Sequence, residues 1–190
     1  MQMIPADDKN AITILLHEYK DGNDEALDKI MGLVYQKLKI MAHQFTIKES
    51  FNHTLNTTGL VHDAYLKILG QNNRAYENRS HFYAIVSTCM RRVILEVVRH
   101  RHAQKRGSGV RNLQIEDHFL ISDGDAEQIL NINDALEKLA EFDQRLANIT
   151  EYRYFGGMKM EEIAEALECS VSTVKRDWRL AKRWLQSELG

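Results

Sequence analysis

The residues Glu161-Glu162-Ile163-Ala164-Glu165-Ala166-Leu167-Glu168-Cys169-Ser170-Val171-Ser172-Thr173-Val174-Lys175-Arg176 describe a short helix turning into a second one. Ile163, Leu167, Val171 and Val174 have the spacing that packs such a pair, and Ala164 is small where the two axes must approach. Ser170 stands where a side-chain oxygen can cap the second helix. Glu168 occupies a turn position where such pairs often carry Gly. The second helix puts Ser172, Thr173, Lys175, Arg176 and Arg179 on its N-terminal half. A recognition helix enters the major groove with that part foremost, and its amides and dipole favour phosphate. Arg can bond a guanine edge with two hydrogen bonds, whereas Lys mostly pairs with phosphate. A plain helical hairpin with a basic face would also fit these residues. The helix-turn-helix pattern favours DNA binding.

Upstream of this pair, apolar spacing predicts helix nearly everywhere. Ile12, Leu15, Leu16 and Tyr19 follow the one-face pattern of a first helix. Asp21-Gly22-Asn23-Asp24 breaks it, and Asn23 can cap a second helix bearing Ala26, Ile30, Val34, Leu38, Met41 and Phe45. Lys48 to Asn56 reads as a loop, and Thr57 or Thr58 as the cap of a third helix with Leu60, Val61, Ala64, Tyr65, Ile68 and Leu69 on one face. Gly70-Gln71-Asn72-Asn73 ends it. Ser80 can cap a fourth helix carrying Phe82, Ile85, Cys89, Val93 and Val97. Lys105-Arg106-Gly107-Ser108-Gly109 loosens the chain, and a weakly periodic acidic stretch follows. A second helical unit begins near Asp125, with Ile129, Ile132, Leu136 and Leu139 as its stripe and Asp143 as the next cap. The expected fold class is therefore all-α: two small helical domains joined by a flexible linker. Their bounds are residues 8–106, 107–127 and 128–190.

The net charge is −2 over 190 residues, but the charges are segregated. Arg91 to Asn112 holds seven Lys/Arg against one acid, leaving +6, and Leu113 to Glu151 holds ten acids against two bases, leaving −8. A local anion-binding surface is compatible with a near-neutral total. The basic end of the fourth helix follows Tyr76, Phe82 and Tyr83. Aromatic faces beside basic side chains suit unstacked bases; Phe82 reads as core, and Tyr76, in a polar loop, as the better base-stacking candidate. No apolar run reaches the roughly 18 residues that span a bilayer, and the N-terminus lacks the order of a signal peptide. Cys89 and Cys169 lie far apart without metal spacing, as reduced thiols of a cytoplasmic protein would.

Six strings in order carry a more specific resemblance: Thr58-Gly59-Leu60-Val61-His62-Asp63-Ala64-Tyr65-Leu66, Asn78-Arg79-Ser80-His81-Phe82, Met90-Arg91-Arg92-Val93, Gln104-Lys105-Arg106-Gly107, Arg153-Tyr154-Phe155-Gly156-Gly157 and Thr173-Val174-Lys175-Arg176-Asp177-Trp178. Over residues 10–188 the chain resembles the extracytoplasmic-function (ECF, group 4) RNA polymerase sigma factors. The resemblance implies a promoter-recognition subunit with no catalytic residues, metal or cofactor. Its partners would be core RNA polymerase, through the clamp helices and flap, promoter DNA, and an anti-sigma factor or other regulator. Carried over, Leu60, Asp63 and Lys67 would face polymerase. Arg74, Tyr76, Asn78, Arg79, Arg91, Arg92, Arg99, Lys105 and Arg106 would serve the minus-ten element. Ser172, Thr173, Lys175, Arg176 and Arg179 would serve the minus-thirty-five element.

Two other readings compete. A helix-turn-helix regulator would bind duplex DNA without being a polymerase subunit; co-purification with core polymerase separates the two. An enzyme would need a convergent site, but His100 and His102, two apart on a helix, point away from each other, and no nucleophile motif or phosphate-cradling Gly loop occurs. The Gly-Ser-Gly break makes a prediction: limited proteolysis should cut first within residues 107–127. First cuts between Leu60 and Val97 would argue against two units.

Overall fold

The computed structural model describes residues 6–43, 45, 53–69, 76–105 and 123–189. The described residues form eight helices and no strand. They are α1 (Ala6–Lys20), α2 (Glu25–His43), α3 (His53–Leu69), α4 (Arg79–Lys105), α5 (Asp123–Phe142), α6 (Gln144–Tyr154), α7 (Met160–Ala166) and α8 (Val171–Leu189). None is long and apolar enough to cross a membrane.

The apolar stripes become the core. Ile12, Leu16 and Tyr19 of α1 and Ala26, Ile30, Val34, Leu38 and Met41 of α2 are buried, as are Leu60, Val61, Ala64 and Ile68 of α3. Three boundaries differ from the sequence reading. Helix α3 starts at His53, inside the expected loop, so Thr57 lies within the helix and is buried rather than capping it. Helix α4 is capped by Asn78, whose side-chain oxygen accepts from the amide of His81 at 2.9 Å; Ser80 is already helical. Helix α5 starts at Asp123, so residues 123–127 belong to it rather than to a linker. Residues 107–122 lie outside the described residues.

Helix α4 organises the molecule. Tyr83, Val86, Met90, Ile94 and Val98 are buried beside the expected Phe82, Cys89, Val93 and Val97, so α4 is apolar on nearly all sides. A helix of that kind must be covered all round. It packs against α1 and α3 on one side and against α5, α6 and α7 on the other. The second side is a seam between the N-terminal and C-terminal helices. Phe45 stacks on Phe155 with centroids 5.4 Å apart, and its edge meets Tyr154. Ser87 lies against Met158, and Gly156 approaches α4 so closely that a Cβ there would stand 1.9 Å from Ser87 Oγ and 2.6 Å from the Tyr152 carbonyl oxygen. Gly157 turns the chain into α7 with φ +56, a conformation that favours glycine.

Because neither neighbour can retreat without disturbing its own helix, Gly156→Ala is expected to cost about 1–3 kcal/mol of unfolding stability through overpacking. Urea denaturation reads this directly; an unchanged midpoint would show that the loop stands clear of α4.

Candidate nucleic-acid interface

The C-terminal helix pair is built from local signals. In α7, Glu162 accepts from the amide of Lys159 at 2.9 Å, closing the first turn. The helix ends in a Schellman-type arrangement: the Cys169 amide donates to the Ala164 carbonyl at 2.9 Å and the Glu168 amide to Glu165 at 3.3 Å. Glu168 takes the left-handed conformation, φ 50, that Gly would adopt with less strain. Ser170 then caps α8, its hydroxyl accepting from the Thr173 amide at 3.1 Å.

Val174, Asp177 and Ala181 form the buried face of α8. Ser172, Lys175, Arg176 and Arg179 are exposed, and Thr173 is half-buried with its hydroxyl 2.8 Å from Ser170. The expected readout residues thus share one helical end open to solvent. Trp178 and Leu185 are half-buried, and Lys182 lies over the Trp178 ring.

The N-terminal candidates are placed less uniformly. Leu60, expected at a polymerase surface, is fully buried, because its side chain is part of the α3 core stripe. Asp63 is half-buried rather than exposed, and Lys67 pairs with Glu96 at 2.8 Å. His62 and Leu66 are the exposed neighbours on the same helix. Tyr76 is 1% exposed, not open to bases, because Tyr19 and Phe82 enclose its ring at 6.1 and 5.5 Å. Burial pushes its phenol up to about 12. Arg92 and Arg99 project to solvent from α4. Lys105 ends the helix with its side chain outside the described residues, as are Arg74 and Arg106 entirely.

Two of the expected DNA contacts are instead engaged across the seam. Arg91 donates to Glu151 at 2.8 Å and to Asn133 at 2.7 and 3.1 Å, with Glu137 at 3.8 Å. Arg79 meets Glu162 at 3.2 Å, and Lys37 from α2 meets the same carboxylate oxygen at 2.9 Å. Lys37 also sits over the Tyr83 ring, 3.7 Å from its centroid. Ser80 donates to Glu165 at 2.7 Å. The sequence reading did not name these acceptors. The signal was the charge segregation: Arg91 comes from the basic stretch, and Glu137 and Glu151 from the acidic one.

This cluster is electrostatically tense. Burial lowers the Lys37 pKa against the pull of Glu162. Burial would raise Glu162, but Lys37, the Lys159 amide and Arg79 together hold it below the ordinary range. The two directions agree on a carboxylate kept charged by partners that themselves lose hydration. Among the described residues no cluster of His, Cys, Asp and Glu could hold a metal ion.

The sequence profile of the ECF sigma factor family matches residues 9–190. No curated protein sequence matches the chain significantly. Among solved structures, the chain is similar to one described as CnrH in complex with the cytosolic domain of CnrY. Identity is 20% over 94% of this chain and 97% of that chain, with a TM-score of 0.42.

The depressed Glu162 carboxyl carries a pH prediction. Its stabilising contribution is complete above its ordinary value of 4.5 and is lost as pH falls through the lower folded value. Glu162→Gln should therefore show a smaller loss of urea midpoint between about pH 6 and about pH 3 than the parent chain. Equal losses would place the acid-labile group elsewhere.

Proposed function

Because the chain belongs to the ECF sigma factor family, we propose that its C-terminal helix pair reads the minus-thirty-five element while its N-terminal helices bind the polymerase clamp and serve the minus-ten element. The protein is a non-catalytic transcription initiation factor; its partners are core RNA polymerase and promoter DNA. It acts in the cytoplasm, with residues 8–106 and 123–190 as its two functional units.

The observation that carries the upstream reading is the exposed N-terminal end of α8, with Ser172, Lys175, Arg176 and Arg179 on a helix braced from behind by Val174 and Ala181. Such a rigid base lets a few side chains meet base edges at fixed distances. The polymerase surface is the outer face of α3, where Asp63 and Lys67 alternate with exposed His62 and Leu66. For the minus-ten element, Arg92 and Arg99 are exposed on α4, suited to phosphate. Asn78 is occupied as a helix cap, and Arg79 and Arg91 by seam carboxylates, so these three would reach DNA only by exchanging those partners. Tyr76 would have to leave the core to stack on a base.

The test is run-off transcription with purified core polymerase on genomic promoter fragments. The chain should confer discrete start sites that core alone does not produce. Asp63→Arg should weaken its binding to core while leaving the circular dichroism spectrum unchanged. Sequence-specific binding to duplex DNA with no start sites would contradict the initiation role.

A further inference from the structure

One charged group on α8 faces inward. Asp177 has a side chain 2% exposed, yet its carboxylate binds two arginines that are open to solvent. Oδ2 stands 2.9 Å from Nε of Arg145, and Oδ1 stands 3.0 Å from Nε of Arg176. The arginine side chains are 47% and 61% exposed. We propose that Asp177 is the positioning residue of the recognition helix, and that Arg145, brought to it from α6, is a further contact to the phosphate backbone of promoter DNA. This rests on the reading of α8 as a groove-entering helix.

A carboxylate removed from water needs charged or hydrogen-bonding partners. One arginine would neutralise it. Two leave the triad with net positive charge, held where the recognition helix begins its exposed stripe. Arg176 donates to Oδ1 through Nε, while Arg145 is held at Oδ2 by charge without an aligned hydrogen bond. Each contact is made at Nε and leaves the two terminal nitrogens as the fork that meets a guanine edge or a phosphate end-on. In Arg176 the fixed Nε also removes side-chain freedom that binding would otherwise have to remove.

The two arginines have different tasks because they stand on different elements. Arg176 lies on α8 with Ser172 four residues before and Arg179 three after, all exposed. It moves with the helix that reads bases. Arg145 is the second residue of α6, just after the cap Asp143, whose side chain accepts from the Arg145 and Leu146 amides. It flanks the reading helix rather than belonging to it, which suits a sequence-independent contact to the strand at the groove edge.

The experiment uses the full chain assembled with core polymerase and a library of upstream sequences, at two or more salt concentrations. Arg145→Ala should weaken binding to all sequences alike and lower the salt slope by about one, and Arg145→Lys should restore the slope. Asp177→Asn should relax base preference at the position that Arg176→Ala relaxes, by about tenfold. A merely structural tie between α6 and α8 would lower the melting temperature while moving neither slope nor preference, and that result would overturn the proposal. If Asp177→Asn does not fold, the Arg145 pair decides: an unchanged slope in Arg145→Ala refutes the phosphate contact. Loss of preference in Arg176→Ala alone would leave the groove reading intact and sink the positioning role; no effect from any of the variants would sink the groove reading itself.

Discussion

An arginine whose side chain is only 17% exposed must find partners for its charge, and Arg91 finds them outside its own unit. It projects from the middle of α4 to Glu151 of α6 and Asn133 of α5. Breaking one side of such a buried pair costs several kcal/mol, of order 3–5, because the other charge is left unpaired. The C-terminal helices therefore have a fixed address on α4. Near one end of the seam, Arg79 and Lys37 converge on Glu162. Between these points Gly156 lets backbone approach Ser87. Position along the helix is set by charge, and closeness by the missing side chain.

That seam is specific more than it is strong. Buried ion pairs roughly cancel their own desolvation, as the lowered pKa of Lys37 shows for the cluster around Glu162. The apolar part is modest, with Phe45 on Phe155 and Met158 beside Ser87. Its geometry is steeply defined while its net energy is not large. An interface of this composition differs from the interior of the N-terminal unit, where the stripes of α1, α2 and α3 bury mostly aliphatic side chains.

The helical class was legible because periodicity is a dense signal. The stripes and the caps that held, such as Ile30, Val34 and Leu38 or the cap Asp143, depend only on near neighbours. The same holds for the turn at Glu168, where a non-glycine in a left-handed position was foreseeable from its place between helices. Burial of Tyr76 was not legible. A tyrosine among polar residues looks like a loop tip, and only the tertiary approach of Tyr19 makes it core. Leu60 failed for the complementary reason: a residue shared by a family motif and a core stripe cannot be assigned to surface or interior from order along the chain. Arg145 and Asp177 lie 32 positions apart, and local pattern does not join them.

The distribution of charge explains how a chain of net charge −2 can face DNA at all. The acids are not spread over the surface against the bases. Several lie inside the fold, where they set the direction of particular basic groups: Glu151 takes Arg91, Glu162 takes Arg79, and Asp177 takes Arg145 and Arg176. Arg92, Arg99, Lys175 and Arg179 stay exposed without an ion pair to an acid among the described residues. Because screening acts over roughly 8–10 Å at moderate salt, a phosphate close to α8 experiences the local arginines and lysine far more than the acids of α5. Net charge is then a poor guide to partner choice in this chain. The informative quantity is which cations the interior acids consume and which they merely aim.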